Sequence, residues 1–180
     1  VGLLRALRQC GAARAQLKWP NDVVDHGKKL AGILIDVQGE AGGPLHAIVG
    51  VGVNYRLSSA IRQSVADSGG LEPTALLSDA SADGSANDSA AVPERSVVAA
   101  RMIDQIYRVL TEFSEMGFAP FADDWRSADF LAGRRVTVST DAGALNGVAV
   151  GVADDGQLRI ETEQGARLVA SGDVTIRSVA

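Results

Sequence analysis

The chain is poor in several features that would announce a function. It has a single cysteine, Cys10, in 180 residues, which excludes an internal disulfide and any multi-cysteine metal site. One cysteine fits a reducing compartment, with the cytoplasm as the default. An excess of positive charge is also missing. The net charge is -5, so there is no general basic footprint for wholesale nucleic-acid binding, although a local cationic pocket stays open. No apolar run approaches the roughly 18 residues of a membrane span, and no signal-peptide pattern opens the chain. Only two histidines occur, His26 and His46. Both fall in or beside expected turns, with no third ligand at metal spacing and no triad company, and read as surface residues. Nor is there an initiator Met. "VGLLRALRQCGA" puts Leu3, Leu4 and Leu7 on one helical face with Gly11 as a stop, so the sequence is expected to be cut within or just before a helix.

What is present is the balance of a soluble globular protein of one or two domains, 46% hydrophobic and 22% charged. After the first helix, Ala15 to Trp19 reads as a short strand and "PND" as a turn. "KKLAGILIDVQ" is a second strand, bracketed by "HGKK" and "GEAGG". "HAIVGVGVNY" is a third, apolar enough along its length to be expected covered on both faces, for instance by the opening helix on one side. Helix on sheet gives an α+β fold with a mixed sheet. "LLSDASADGSANDSAAVPERS" reads as a linker. Beyond Pro93, the spacing of Val97, Met102, Ile103, Ile106, Leu110 and Phe113 predicts a long amphipathic helix ending near Gly117. "FAPFADDWRSADFL" adds a short helical piece. From Arg135 on, five short strands with "DDG" and "QG" turns predict a small barrel of SH3-like type. The boundary falls at Leu131 to Gly133, dividing residues 1–132 from 133–180.

Two motifs fail on spacing. "GVGVN" holds a G-x-G, but the third glycine of a dinucleotide fingerprint would fall on Tyr55, inside a strand. "DASADGSANDSA" begins like a calcium loop yet has Ala90 where a bidentate Glu is required. The stretch "LKWPNDVVDHGKKLAGILIDV" passes better. Successive strand residues point to opposite faces, so one of Lys28 and Lys29 must aim toward the side where "PND" sits. A partly desolvated lysine there needs an anion, and Asn21 and Asp22 in a turn supply oriented polar contacts or pin the loop. Gly32, inside a strand, permits close approach of a ligand or another backbone, or marks a bulge.

"KWPND" at Lys18 to Asp22, "KKLAGIL" at Lys28 to Leu34, "VGVGVN" at Val49 to Asn54 and the closing "GDVTIR" together resemble the catalytic and C-terminal domains of biotin protein ligases, over nearly the whole chain. The resemblance implies a class II synthetase-like core, incomplete here, followed by the SH3-like domain. It implies a two-step reaction. Biotin and MgATP give biotinyl-5'-AMP and pyrophosphate, and the biotinyl group then passes to a lysine of a carboxylase's biotin carboxyl carrier domain. By position, Lys29 corresponds to the family's catalytic lysine, which contacts the biotin carboxylate and the adenylate phosphate. Gly32 would let backbone approach the biotin rings. Asn21 and Asn54 would lie around the adenine and phosphate end, Lys18 and Asp22 would orient the loop, and Arg177 matches an arginine associated with nucleotide handling.

The chain departs from the family in three places. It has no Gly/Arg-rich "GRGRRG" loop, no aromatic in "DSGGLEPT" after the third strand to cap adenine, and Asp36 where Glu is usual. It is therefore expected to be an N-terminally truncated ligase, with a non-catalytic binding or regulatory module of a biotin-dependent repressor as the rival reading and a lipoate-type acyltransferase a distant third. Dimerisation is left open by the sequence, and DNA is a partner only where an upstream helix-turn-helix exists.

Overall fold

In the computed structural model the described residues are 1–39, 45–58, 71–77, 93–141 and 143–176. The opening helix forms as the sequence predicts. α1 (Gly2–Gln9) buries Leu3, Leu4 and Leu7. Four strands follow, β1 (Gln16–Lys18), β2 (Asp22–Asp25), β3 (Lys28–Gly39) and β4 (Leu45–Val53). They make one sheet in the order β1-β2-β3-β4, each pair antiparallel. β2 was not anticipated, since "PND" reads as a turn. The turn is tighter than that, and Asp22 already pairs with Lys18 across it. His26 and Gly27 connect β2 to β3, both at positive φ (49° and 75°), the conformation that a two-residue hairpin with the sheet's twist requires.

The long helix α2 (Arg95–Met116) lies against α1. A Cβ on Gly2 would come within 2.8 Å of the Gln105 carbonyl oxygen, and Arg101 donates to the Gln9 carbonyl at 2.6 Å. A 3-10 turn (Ala119–Phe121) and α3 (Ala122–Ala128) lead to five strands, β5 (Arg135–Thr140), β6 (Gly143–Val152), β7 (Leu158–Thr162), β8 (Gly165–Val169) and β9 (Asp173–Ile176). Their order is β8-β7-β6-β5-β9, all antiparallel. The five expected strands are present, and no β8–β9 pairing closes them among the described residues. Parallel pairing is confined, among the described residues, to single bridges at Leu17–Asp129, Lys29–Pro73 and Arg56–Leu77.

Among the described residues, two apolar clusters hold the elements together. One packs α1 onto the first sheet through Leu3, Leu7, Leu17, Val23 and Leu30. The other fills the second sheet with Val136, Val138, Leu158 and Ile160, and takes in Trp19 and Val24 from the first. Trp19 is 4% exposed and its indole N–H donates to the Gly156 carbonyl at 3.1 Å, so the "WPN" turn is rooted in the β6–β7 turn of the other sheet. Burial of a ring this size contributes several kcal/mol, about 3–5 by the cost of deleting one.

One expectation fails. β4 is not covered on both faces: Ile48 is 56% exposed, and so, on β3, are Leu34 (74%) and Val37 (59%). The apolar stripe of α2 is similarly open, with Ile103 and Phe113 exposed and Val98 buried. The reason is geometric. α1 covers only the end of the sheet nearest β1 and β2, where Leu30 and Ala31 are buried, while the far halves of β3 and β4 extend past it.

Asp129, after α3, joins the segments. One carboxyl oxygen accepts from the Leu131 N–H at 2.9 Å and the other is buried without a partner. Burial pushes this carboxyl above the usual carboxylate range, against the pull of the Leu131 and Ala132 amides. A raised folded-state value means that the native state holds a proton which the unfolded chain has released, so stability falls as pH rises through that window. Asp129→Asn should thus stabilise the protein at pH 7 by roughly 1 kcal/mol. The gain should vanish in acid, once the wild-type carboxyl is protonated in both states, as denaturant melts at pH 7 and pH 3 would register.

Candidate functional site

The site begins with a slip in register. Val23 pairs with Ala31 but Val24 pairs with Lys29, leaving Leu30 as the extra residue of a bulge. Without the slip, Lys28 would share a face with Gly32 and Asp22. With it, Lys29 does. Leu30 and Ala31 both bury on the other side against α1. Lys28 turns instead to Glu72, at 2.6 Å on the surface.

The Lys29 backbone is held on both sides. Its N–H donates to the Glu72 carbonyl at 2.8 Å, and its carbonyl accepts from the Thr74 N–H at 2.8 Å and from the Asn54 amide at 3.1 Å. Asn54 also donates its own N–H to the Leu30 carbonyl at 2.9 Å. Asn21 does the same for the turn, its amide donating to the Ile33 carbonyl at 2.8 Å while Ile33 N–H returns a bond to the Asn21 carbonyl at 2.9 Å.

At the tip, the Lys29 ammonium sits 2.6 Å from one oxygen of Asp22, and the Lys18 ammonium lies 3.8 Å from the other. The three differ in exposure. The Lys29 side chain is 44% exposed, Asp22 12% and Lys18 9%. Burial pushes the Lys18 ammonium below the usual lysine range; Asp22 draws it back up, Lys29 pushes it down and Asp173 of β9 raises it.

Asp22 and Lys29 form one side of an open pocket of about 290 Å³ whose floor is Gly32, Gly50 and Gly52. Gly32 pairs with Gly52, and Leu34 with Gly50, so the three glycines lie on one face, which they share with the exposed Leu34 side chain at the pocket's edge. Gly32 sits in register rather than at the bulge. A Cβ there would approach Asp22 Oδ1 at 3.3 Å and Lys29 Cε at 3.4 Å, so the glycine makes room for the ion pair itself. A fixed ammonium over a floor of backbone suits an elongated ligand with an anionic centre.

Of the residues singled out from sequence, Asn21, Asp22, Lys29 and Gly32 come together at this pocket. Asn54 supports it from behind, at the Lys29 carbonyl. Lys18 is not in its lining and lies buried beyond Asp22. Arg177 lies outside the described residues, and so do the calcium-like stretch and the first half of "DSGGLEPT". Asp36 is far along β3, exposed and accepting from the Gln38 amide at 2.9 Å. His26 and His46 are both exposed. Three things escaped the sequence reading: the slip at Leu30, the clamp supplied by Glu72 and Thr74, and the anchoring of Trp19. A two-residue apolar step, "LA", within an alternating strand is the only signal of the first. No group of three or more His, Cys, Asp or Glu side chains that could hold a metal occurs among the described residues.

Comparison with known proteins places the chain in context. Residues 1–54 match the Biotin/lipoate A/B protein ligase family and residues 132–177 match the Biotin protein ligase C terminal domain. The chain is 27% identical to the Bifunctional ligase/repressor BirA of Escherichia coli, over 99% of this chain and 52% of the relative. It is 31% identical to the Biotin--[acetyl-CoA-carboxylase] ligase of Paracoccus denitrificans, over 92% of this chain and 65% of that one. Among solved structures, the biotin protein ligase from Aquifex aeolicus in complex with biotin and ATP superposes with a TM-score of 0.75 at 25% identity, covering 99% of this chain and 68% of that one. The chain thus spans about half the length of the first curated relative.

The clamp on Lys29 can be tested by stability alone. Asn54→Ala removes the bond to the Lys29 carbonyl and should destabilise the fold by roughly 1–2 kcal/mol. Gly32→Ala, whose new methyl would meet Asp22 Oδ1 at 3.3 Å and Lys29 Cε at 3.4 Å, asks for a shift of only a few tenths of an ångström and should cost no more than about 1 kcal/mol. Chemical denaturation of the two variants would compare them.

Proposed function

The chain belongs to the biotin protein ligase family, and from that premise we propose that its pocket serves ATP-dependent biotin activation. The observation that carries the reading is the Lys29 ammonium, held 2.6 Å from Asp22 at the edge of a glycine floor. The Aquifex aeolicus relative is a complex with biotin and ATP, which supports those two substrates.

In the first step a biotin carboxylate oxygen attacks the α-phosphorus of ATP and pyrophosphate leaves. Two anions must meet, and a preorganised ammonium lowers the repulsion between them and stabilises the charge that builds on the phosphoryl oxygens. Lys29 is the catalytic residue for this task. Its backbone is fixed by Glu72, Thr74 and Asn54, so little reorganisation is required when the anions arrive. In the second step the amine of a carrier lysine attacks the biotinyl carbonyl of the mixed anhydride, and AMP leaves with its electron pair. The same ammonium offsets the oxyanion of the tetrahedral intermediate.

Gly32 keeps the biotin end open to backbone contact, and Asn21 and Asn54 shape the adenylate end by pinning the turn and β3. Lys18 and Asp22 act behind Lys29. Arg177 is assigned to nucleotide handling on the resemblance of "GDVTIR". Mg2+ would arrive on the phosphates of ATP, and no step here runs through a protein-bound metal. The acceptor is the biotin carboxyl carrier domain of a carboxylase, supported by the relative from Paracoccus denitrificans being a ligase for acetyl-CoA carboxylase. Residues 1–132 are read as catalytic and 133–180 as the C-terminal domain, supported by the match at 132–177. The setting proposed is the cytoplasm; no helix among the described residues is long and apolar enough to cross a membrane.

The test is binding. Lys29→Ala should weaken biotinyl-5'-AMP binding, measured by calorimetry on the 180-residue chain, by roughly tenfold to a hundredfold. Unchanged affinity would remove Lys29 from the role given to it.

A further inference from the structure

The ion cluster at the pocket has an odd count. Among the described residues, two ammonium groups, Lys18 and Lys29, flank one carboxylate, Asp22. Lysine is seldom fully buried unless paired, yet Lys18 is 8% exposed and contributes nothing to the pocket lining. Its nearest carboxylate contact is shared: Asp22 Oδ2 lies at 3.8 Å from Lys18 while Asp22 Oδ1 lies at 2.6 Å from Lys29. If Asp22 and Lys29 stood alone, the pair would cancel, and the pocket would present a neutral dipole to an anionic ligand.

We propose that Lys18 is a positioning residue that neutralises Asp22 from behind, so that Asp22 can hold the Lys29 head in place while the cluster keeps one net positive charge for the ligand's anion. The inference rests on the reading of Lys29 as the anion-contacting group. Three features support it. Lys18 and Asp22 face each other as register partners across the β1–β2 turn, which fixes their separation. That turn is rooted through Trp19 to the Gly156 carbonyl, so Lys18 cannot swing out. Asp173 of β9, the other carboxylate bearing on Lys18, is exposed and screened by solvent, whereas Asp22 is nearly buried and acts at short range. The second sheet thereby takes part in setting the charge of a pocket that it does not line.

The test separates charge from structure by using two ligands of the same shape. One is biotinol-5'-AMP, a stable phosphodiester monoanion; the other joins biotin to adenosine through an uncharged linker of equal length. The readout is the ratio of their affinities, from calorimetry on the full 180-residue chain. Lys18→Met should lower the preference for the charged ligand about tenfold, since one unit charge is removed several ångströms from the anion. Lys18→Met with Asp22→Asn restores the net charge and should bring the ratio back to within roughly threefold of wild type. Asp22→Asn alone should raise the ratio, and it keeps the idea testable where Lys18→Met does not fold. A loss equal for both ligands in Lys18→Met, or a double variant worse than the single, would reduce Lys18 to a structural residue and overturn the proposal. Lys29→Ala is the control for the underlying reading. If it leaves the ratio unchanged, that reading falls and takes the proposal with it; if it collapses the ratio while Lys18→Met does not, only the role of Lys18 is lost.

Discussion

The Asp22 carboxylate, gripped by Lys29 on one oxygen and faced by Lys18 on the other, is the contact around which the rest of the molecule is arranged. A carboxylate that is 12% exposed needs compensating charge, and both partners come from elements whose positions are fixed independently. Lys18 ends β1, Asp22 begins β2, and Lys29 lies in β3. The cluster is where three adjacent strands meet. The slip at Leu30 brings the third into phase, and the glycine at position 32 gives the pair space.

The two sheets are coupled at the same place. Trp19 lies one residue from Lys18 in the chain and is buried among Val136, Val138, Leu158 and Ile160, while Phe130 N–H donates to the Leu17 carbonyl at 2.8 Å. The apolar core of the second sheet therefore sets the position of the turn that carries Lys18 and Asp22. For the reaction proposed above, a cation whose location does not depend on the ligand lowers the reorganisation needed when the anions arrive. The open far halves of β3 and β4 contrast with this rigid end.

The legible part of the fold was the part written in short-range patterns. α1 follows from Leu3, Leu4 and Leu7, α2 from its long apolar stripe, and the five late strands from alternation and turns. β2 was hidden because it begins at Asp22, the last residue of the "PND" turn signal, and a strand of four residues leaves too little alternation to detect. The exposure of Leu34, Val37 and Ile48 could not be read from composition, since an apolar strand looks the same covered or bare. At the candidate site, "KWPND" and "KKLAGIL" supply residues that line one pocket, Asn21 and Asp22 from the first, Lys29 and Gly32 from the second. Which lysine points inward depended on one bulge residue, and the burial of Lys18 depended on the distant second sheet. Local sequence carries neither. Asn54, expected from the sequence at the adenine and phosphate end, also secures the carbonyl of Lys29.

The account turns on Lys29 being held by Asp22 and offered to an anionic adenylate. Its most direct test is NMR detection of the lysine ammonium groups in isotopically labelled chain, titrated with biotinyl-5'-AMP. The account predicts slowly exchanging Lys29 and Lys18 signals, both shifted by Asp22→Asn, with ligand moving the Lys29 signal more than that of Lys18. A Lys29 signal that does not respond at saturating ligand would contradict it.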